Sequence, residues 1–158
     1  MAKVEFILKG DTELRNILRK MDYKDMQRVY KKALTDTVKP LVNETKKSLR
    51  RSGVKNVNKP YVSKKTGKTY KSMLQGIKSS IDVRNAKDNY AKVHIMGEFR
   101  LKWFEKGTTT RRTERKGLRG SIYPHRFFRD AVKAKGEQCR DSLERNIRIS
   151  IQKVWEKR

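Results

Sequence analysis

The amino-acid sequence predicts an α+β fold: a small antiparallel sheet packed by a long kinked helix and a long C-terminal helix, with extended basic loops. Three patterns predict it. Apolar residues recur at the helical period of 3.6 over two long stretches, alternate with polar residues in short runs, and show no period in two lysine- and arginine-rich stretches. With 158 residues the chain is long enough for one domain and short for two, so we expect a single domain over residues 1–158.

The N-terminal region is predicted to be a strand followed by a short helix. Residues 2–8 alternate between apolar and more polar side chains, which favours a strand with one wetter face. Asp11 or Thr12 can then cap a helix, because an oxygen at that position accepts a hydrogen bond from a free backbone N–H. One face of this helix carries four apolar residues: Leu14, Ile17, Leu18 and Met21.

A long amphipathic helix from about Asp22 to Arg51 is the clearest element of the sequence. Its apolar face follows the helical period through Met26, Val29, Tyr30, Ala33, Leu34, Val38, Leu41 and Leu49. Pro40 lies inside this pattern, where it removes the hydrogen bond to the carbonyl of Asp36 and costs roughly 3 kcal/mol in a straight helix. We therefore expect a kink or a break at Pro40.

The middle of the chain is predicted to be a loop followed by a hairpin. Residues 52–71 are polar and basic and are interrupted by Pro60 and Gly67, which indicates a long, mobile loop. Two alternating runs, Ile77–Val83 and Tyr90–Met96, are joined by a mostly polar stretch. They predict two antiparallel strands.

The last third is predicted to hold a short helix, a second basic loop and a long helix. The apolar residues of 99–104 mark the short helix, which ends at Gly107, a suitable residue after a helix. Residues 108–120 are basic and have no apolar period, so we expect an exposed arm. Pro124 leads into the final helix, from about His125 to Glu156. Its apolar stripe is Phe128, Val132, Cys139, Leu143, Ile147, Ile151 and Trp155.

The composition indicates a thin core and a strongly positive surface. Hydrophobic residues make up 35% and charged residues 37%, with a formal net charge of +25. Residues 45–81 contain no acidic residue. An excess of this size indicates that the basic surface binds nucleic acid or an acidic protein, because solubility alone would need far less charge. The predicted contact residues are Lys55, Lys59, Lys64, Lys65 and Lys68 in the first loop and Arg111, Arg112, Arg115, Lys116 and Arg119 in the second.

Cysteine usage and hydropathy indicate synthesis in the cytoplasm without a membrane partner. The lone Cys139 cannot form an internal disulfide, so the chain needs no oxidising compartment. The first ten residues lack the apolar core of a signal peptide. No stretch approaches the roughly 20 apolar residues that cross a bilayer.

The motifs of common enzymes and metal sites are missing from the sequence. There is no P-loop, G-x-S-x-G or H-E-x-x-H motif, and neither His94 nor His125 has a partner at metal-ligand spacing. A metal-dependent nuclease is the enzyme class to test on a basic protein. Its candidate carboxylates are Glu98 and Glu105, for which we favour solvated or salt-bridged roles. We predict no enzyme, no cofactor and no catalytic or metal-binding residue.

Two short motifs follow the predicted hairpin. The first is Trp103-Phe104-Glu105-Lys106-Gly107-Thr108, and the second is Pro124-His125-Arg126-Phe127-Phe128-Arg129-Asp130-Ala131. They resemble the aromatic-x-Glu-x-Gly-Thr and Pro-x-x-Phe-x-x-x-Ala signatures of the bacteriophage tail-completion and head-tail joining family, which includes the minor tail protein Z type. The order of elements over about residues 20–145 is similar too. Members of that family usually have a shorter loop, with a Gly-x-Leu turn, in place of residues 55–71.

Each motif residue also has a physical interpretation. Gly107 suits a left-handed helix cap, and Glu105 can pair with the backbone or a basic side chain near that turn. Pro124 fixes the approach of the chain so that Phe127 or Phe128 can plug the core. We also expect Trp103 to plug the core or an interface. Its truncation to Ala should then destabilise the monomer or the ring by several kcal/mol, as truncation of a large core residue does.

The resemblance implies a structural virion protein that forms a ring in the neck or at the top of the tail. Such a ring mates with adaptor or portal proteins above it and with tail-tube or tail-terminator proteins below it, after assembly in the host bacterial cytoplasm. Its basic loops then either line a channel around genomic DNA or clamp acidic neighbours. The alternative, supported by charge alone, is a non-specific nucleic-acid-binding architectural protein.

Overall fold

A computed structural model of the protein describes residues 3–5, 12–85, 92–110, 117–118 and 120–156. The strands are β1 (Lys3–Glu5), β2 (Tyr61–Val62), β3 (Thr69–Tyr70), β4 (Ile77–Asp82) and β5 (Lys92–Met96). The helices are α1 (Thr12–Arg19), α2 (Tyr23–Arg51), α3 (Met73–Gly76), α4 (Phe99–Lys106) and α5 (Phe127–Trp155). The predicted α+β fold is confirmed, because the strands pair antiparallel and the long helices α2 and α5 pack together.

β5 is the central strand of a three-stranded antiparallel sheet, between β1 and β4. Val93 of β5 pairs in register with Val4 of β1 and with Ile81 of β4. Val93 and Ile95 are fully buried while the residue between them is half-buried, so the alternation in the sequence becomes the two faces of the sheet. The predicted hairpin is thereby confirmed. Tyr90, at its expected second strand, lies outside the described residues.

α2 is the central helix and packs against both α5 and β4. Its buried residues come in adjacent pairs, which makes its apolar face wider than the stripe of a helix covered on one side. These pairs are Val29 and Tyr30, Ala33 and Leu34, Thr37 and Val38, and Leu41 and Val42. The buried hydroxyl of Thr37 accepts a hydrogen bond from the Asn146 amide of α5 at 2.9 Å. Apolar packing and a satisfied polar contact therefore join the two long helices.

α2 continues through Pro40 without interruption, so the break that was one expected outcome there is wrong. Proline still removes the hydrogen bond to the carbonyl of Asp36. Val38 and Leu41, on either side of Pro40, are nevertheless fully buried. Because both turns bury apolar side chains against neighbouring elements, tertiary packing keeps the chain helical at Pro40.

Residues 52–71 contain a β-hairpin where the sequence predicts a loop. Tyr61 pairs with Tyr70, so that β2 and β3 form a second, two-stranded sheet. Gly67, with a φ of +64°, helps to close the turn by donating its N–H to the carbonyl of Ser63 at 2.8 Å. Strands of two residues are too short to show alternation, so the pattern of the sequence could not reveal them.

α3 is a single turn that links the second sheet to the first, and the sequence-based prediction lacks it. Ser72 and Gln75 form a reciprocal capping box, each side chain accepting the other residue's backbone N–H. At Gly76, a Cβ atom would lie 2.3 Å from the Cβ of Glu98. The glycine therefore lets the start of α4 approach α3 closely.

α1, α4 and α5 confirm the helices predicted at those places. α5 begins at Phe127, two residues after the expected start at His125. Its residues Cys139, Leu143 and Ile147 are buried as predicted, whereas Trp155 at its end is 52% exposed. Within the described ranges, no helix is both long and apolar enough to cross a membrane.

Candidate functional site

The two motifs that carry the resemblance meet where α4 ends and α5 begins. The backbone N–H of Thr108 donates to the carbonyl of Ile122 at 2.9 Å, and the Thr108 hydroxyl accepts the N–H of Ile122 at 3.0 Å. We call this unit, residues 104–108 with 122–129, the motif joint. The segment between its two halves is the second basic loop, so residues far apart in sequence form one hydrogen-bonded unit.

Gly107 is required at the motif joint for two independent reasons. Its φ of +73° with a ψ of −178° lies in a region that is essentially restricted to glycine. The predicted positive φ is thus correct, but ψ is extended instead of left-handed helical. A Cβ atom at Gly107 would also lie 2.7 Å from the carbonyl oxygen of Ile122 and 2.9 Å from Cδ of Pro124. A side chain there would push the two motifs apart.

Glu105 of α4 caps the N-terminus of α5. Its carboxylate accepts the backbone N–H of Phe128 at 2.8 Å and that of Arg129 at 3.0 Å. Arg126, at the N-cap position itself, supplies no side-chain hydrogen bond to the helix. A negative charge at this end of a helix is favourable, because the free N–H groups and the helix dipole are positive there. The sequence allowed Glu105 to pair with the backbone or with a basic side chain, and in the structure it pairs with the backbone.

The apolar motif residues divide into buried and exposed ones. Phe127, Phe128 and Ala131 are buried, which confirms that the second motif plugs the core. Trp103, in contrast, is 43% exposed, so of its two predicted places, the core and an interface, the core is wrong. The ring packs edge-on against Phe99, also exposed, with 5.1 Å between ring centroids. Trp103 falls on the side of α4 that faces away from the core, which the spacing of four apolar residues in eight could not determine.

A cleft of about 430 Å³ lies beside the motif joint. Both oxygens of Glu105, the cleft's acidic residue, already accept α5 backbone N–H groups. The cations of its wall make no ion pair with a carboxylate of the described chain. They are Lys102, Lys106, Arg126 and Arg129. Sequence reasoning missed this basic cleft because α4 and α5 contribute its residues jointly.

The second basic loop leaves the motif joint at Thr108 and returns to it at Ile122. Its predicted contact residues lie outside the described residues: Arg111, Arg112, Arg115, Lys116 and Arg119. Leu118 and Tyr123, which are described, are 71% and 79% exposed. The structure therefore establishes that the two ends of this loop lie side by side.

The predicted contact residues of the first basic loop are all exposed: Lys55, Lys59, Lys64, Lys65 and Lys68. The last three belong to the β2–β3 hairpin and its turn, and the first two precede it. The Lys68 ammonium lies 5.6 Å from the centre of the Tyr70 ring, within the range of a cation–π contact. The hairpin thus gives part of the first loop a defined position on the molecule.

Four aromatic rings connect the β2–β3 hairpin to α4. Tyr61, Tyr70, Phe99 and Trp103 follow one another with centroid distances of 6.0, 5.2 and 5.1 Å. We call these four residues the aromatic row. Sequence reasoning missed it, because the hairpin and α4 are separated along the chain and neither has an apolar period that points to the other.

Arg100 holds the hairpin against α4 through three kinds of contact. Its Nε donates to Glu98 at 2.7 Å, its Nη2 donates to the Lys71 carbonyl at 2.7 Å, and its guanidinium lies 5.1 Å from the centre of the Tyr61 ring. The side chain is only 12% exposed, so these contacts are largely shielded from solvent. Arg100 is a further residue of this surface that the sequence did not single out.

The two candidate nuclease carboxylates are both engaged within the fold. Glu98 is buried and accepts the backbone N–H and the guanidinium of Arg100, and Glu105 caps α5. The described residues include no group of three or more His, Cys, Asp or Glu side chains that could hold a metal ion. Cys139 is buried, which raises the pKa of its thiol and disfavours the reactive thiolate.

No protein-family model, curated protein or solved structure matches this chain. The resemblance to the tail-completion and head-tail joining family therefore rests on the two motifs and on the order of the elements. Those motifs coincide with the motif joint, in which each residue discussed above has a structural role.

Proposed function

We propose that this chain is a structural virion protein of a tailed bacteriophage, repeated as a ring at the head-tail junction. The ring completes the tail and joins it to the DNA-filled head. It contacts adaptor or portal proteins on the head side and tail-tube or tail-terminator proteins on the tail side. In this role the protein acts through shape and charge and catalyses no reaction.

The motif joint is the observation that carries this proposal. The two motifs resemble family signatures separately, and in the fold they are joined by hydrogen bonds through Thr108 and Glu105. Gly107 has a backbone conformation and a close approach that exclude other residues. A signature whose residues depend on one another physically supports the resemblance better than two independent short matches.

α4 also connects the end of the first basic segment to the start of the second. At its N-terminal end, Arg100 binds the carbonyl of Lys71, at the end of the first loop. At its C-terminal end, Gly107 and Thr108 begin the second loop. The helix has eight residues and is therefore about 12 Å long. Two basic segments that start and end so close together suit an acidic surface, either the phosphates of DNA passing through the ring or an acidic neighbour.

The alternative is a non-specific nucleic-acid-binding architectural protein. Exposed aromatic rings with nearby cations are typical of surfaces that stack single-stranded bases. In the aromatic row, however, Arg100 covers one face of Tyr61 and Lys68 covers one face of Tyr70. These contacts leave less ring surface for bases and favour the structural role. Tight binding of naked duplex DNA by the purified monomer at physiological salt would favour the alternative.

The role of the second basic loop can be tested in the phage that encodes the chain. We predict that changing Arg111, Arg112, Arg115 and Lys116 together to Ala leaves the fold intact and impairs tail attachment, because the loop's ends are held by the motif joint. DNA-filled heads and free tails should accumulate, as counted by electron microscopy, and the infectious titre should fall. Mass spectrometry of purified virions should detect the wild-type chain.

The matched control changes Lys24, Lys31, Lys32 and Lys39 to Ala, which removes the same charge from the exposed side of α2. Phage that carry this control variant should give a normal yield of tailed particles. Normal yields of infectious particles from the loop variant would contradict the role of the loop. Absence of the chain from wild-type virions would contradict the proposed function as a whole.

A further inference from the structure

The aromatic row is an exposed apolar surface in a chain that has few apolar residues. Tyr61, Phe99 and Trp103 are 41%, 39% and 43% exposed, although burial of such rings is strongly favourable. Exposed tryptophan, tyrosine and phenylalanine side chains at one place are typical of protein–protein interfaces. The row therefore indicates a surface that a partner covers.

This surface is held in place before any partner binds. Arg100 joins the hairpin to α4 through Glu98, Lys71 and Tyr61, and the rings pack edge-to-face or tilted against one another. A surface that is already ordered loses less conformational entropy on binding than a mobile loop does. For this reason, a surface made of only four aromatic residues can still support an interface.

The border of the aromatic row is positive. Lys68 and Lys71 flank Tyr70, and Lys102 and Lys106 lie next to Phe99 and Trp103 on α4 by helical spacing. All four lysines are exposed, and none pairs with a carboxylate of the described residues. A partner that fits this surface therefore carries carboxylates around a small apolar centre.

The outer side of α5 offers carboxylates with one small residue among them, and the exposed Lys133 and Arg140 lie at its edge. Asp130, Glu137, Asp141 and Glu144 are all exposed and, at steps of seven, four and three residues, share one side of the helix. We call these four residues the acidic stripe. It lies opposite the buried residues of α5 and is about 21 Å long from first to last. Among the four, only Glu144 has an ion-pair partner in the described chain, Arg148.

We propose that the aromatic row of one copy binds the acidic stripe on α5 of a second copy of this chain. The lysines that border the row pair with the carboxylates of the stripe, and Trp103 packs against the helix surface around the small, exposed Ala134. Because opposite charges stand on two different surfaces of one chain, like surfaces repel and unlike surfaces attract. The contact is therefore head-to-tail.

A head-to-tail contact has a direct consequence for assembly. Each copy presents one row and one stripe, so every added copy leaves the same two surfaces free at the ends, until a ring closes. Closure into a ring rests on the proposed function, but the contact itself belongs to the purified protein. The high net charge opposes association in general, so the contact should appear at high protein concentration and depend on salt.

Two variants with opposite defects test the contact in the full-length protein. The row variant combines Trp103→Ala with Lys68→Glu, and the stripe variant combines Glu137→Lys with Asp141→Lys. We expect each alone to associate at least tenfold more weakly than wild type in sedimentation equilibrium, because central aromatic residues and charge reversals dominate such interfaces. Circular dichroism and melting should show that both remain folded, since all four positions are exposed.

The decisive measurement is an equal mixture of the two variants. The row variant keeps an intact stripe and the stripe variant an intact row, so the mixture should form a dimer with one copy of each and nothing larger. Wild type under the same conditions should form larger species. Two control variants carry equivalent changes elsewhere, Trp155→Ala with Lys153→Glu and Asp36→Lys with Glu156→Lys, and should associate as wild type does.

Several results would overturn the proposed contact. The wild-type protein could stay monomeric at every protein and salt concentration, or the row and stripe variants could associate as wild type does. The third such result is an equal mixture of the two variants that stays monomeric while wild type associates. Association of wild type only when DNA or an acidic protein is added would assign the row to that partner instead. Any of these results is compatible with the chain being present in virion necks, so the failure of the contact and of the proposed function can be told apart.

Discussion

At the scale of single residues, the motif joint depends on Glu105 and Gly107. Glu105 replaces the capping side chain that the N-cap residue Arg126 does not supply. Gly107 allows the chain to leave α4 with a positive φ and to pass close to Ile122. Both residues were singled out from the sequence for their type. The structure adds the atoms that each of them contacts.

Replacement of Glu105 should destabilise the fold in a graded way. Glu105→Ala should lower the free energy of unfolding by about 1–3 kcal/mol, because two backbone N–H groups lose their acceptor. Glu105→Gln keeps an acceptor oxygen and loses the charge, so it should cost less, on the order of 1 kcal/mol. Urea unfolding followed by circular dichroism measures both values. The exposed control Asp36→Ala should stay within about 0.5 kcal/mol of wild type, and an equally small effect of Glu105→Ala would contradict the capping role.

At the scale of elements, α4 is a short helix with different surroundings on its different sides. It buries Leu101, contributes Glu105 to the cap of α5 and exposes Phe99 and Trp103 to solvent. Of the core and the interface that the sequence allowed for Trp103, the fold therefore excludes the core. A short helix has too few turns for its apolar residues to define one buried side, so only its packing against α3, β5 and α5 determines which residues face outward.

Truncation of Trp103 and of Phe127 should therefore have very different effects on monomer stability. Trp103→Ala should cost about 1 kcal/mol, the value of an edge-on aromatic pair at a half-exposed place. Phe127→Ala, at a position that is 1% exposed, should cost about 3–5 kcal/mol. Thermal and urea unfolding of the two variants at low protein concentration would measure this difference. Equal losses would show that Trp103 is buried in solution.

At the scale of the whole molecule, few ion pairs among the residues that the structure describes oppose the positive charge. The exposed ion pair of Arg148 with Glu144 joins neighbours on the same helix. Exposed pairs of this kind contribute little to stability. The formal charge of +25 therefore repels itself across the folded protein.

Salt should consequently stabilise the isolated protein. Raising the sodium chloride concentration shortens the range of the repulsion, so the melting temperature should rise, by roughly 3 °C for each kcal/mol of repulsion relieved. Differential scanning fluorimetry over a salt series measures the effect. The variant with four Ala residues in the second basic loop has four fewer positive charges and should gain less from salt. A melting temperature that falls with salt would show that attractive ion pairs dominate instead.

The sequence by itself determined the elements that are long and periodic. α2, α5 and the β4–β5 hairpin follow from apolar residues at fixed spacing, because a face that must leave water repeats at every turn or every second residue. The sequence also determined the importance of Gly107 and Glu105, since few residue types can end one helix or cap the next. Pro40 was the exception, because its local preference was outweighed by the burial of Val38 and Leu41.

Only the tertiary structure decided where short and jointly formed features lie. The β2–β3 hairpin, α3, the basic cleft and the aromatic row combine residues from segments that carry no shared period. Trp103 became exposed and Glu105 became a cap for α5 because of how α4 is placed between its neighbours. Spacing along a chain reports which residues share a face, whereas contacts between elements determine what that face meets.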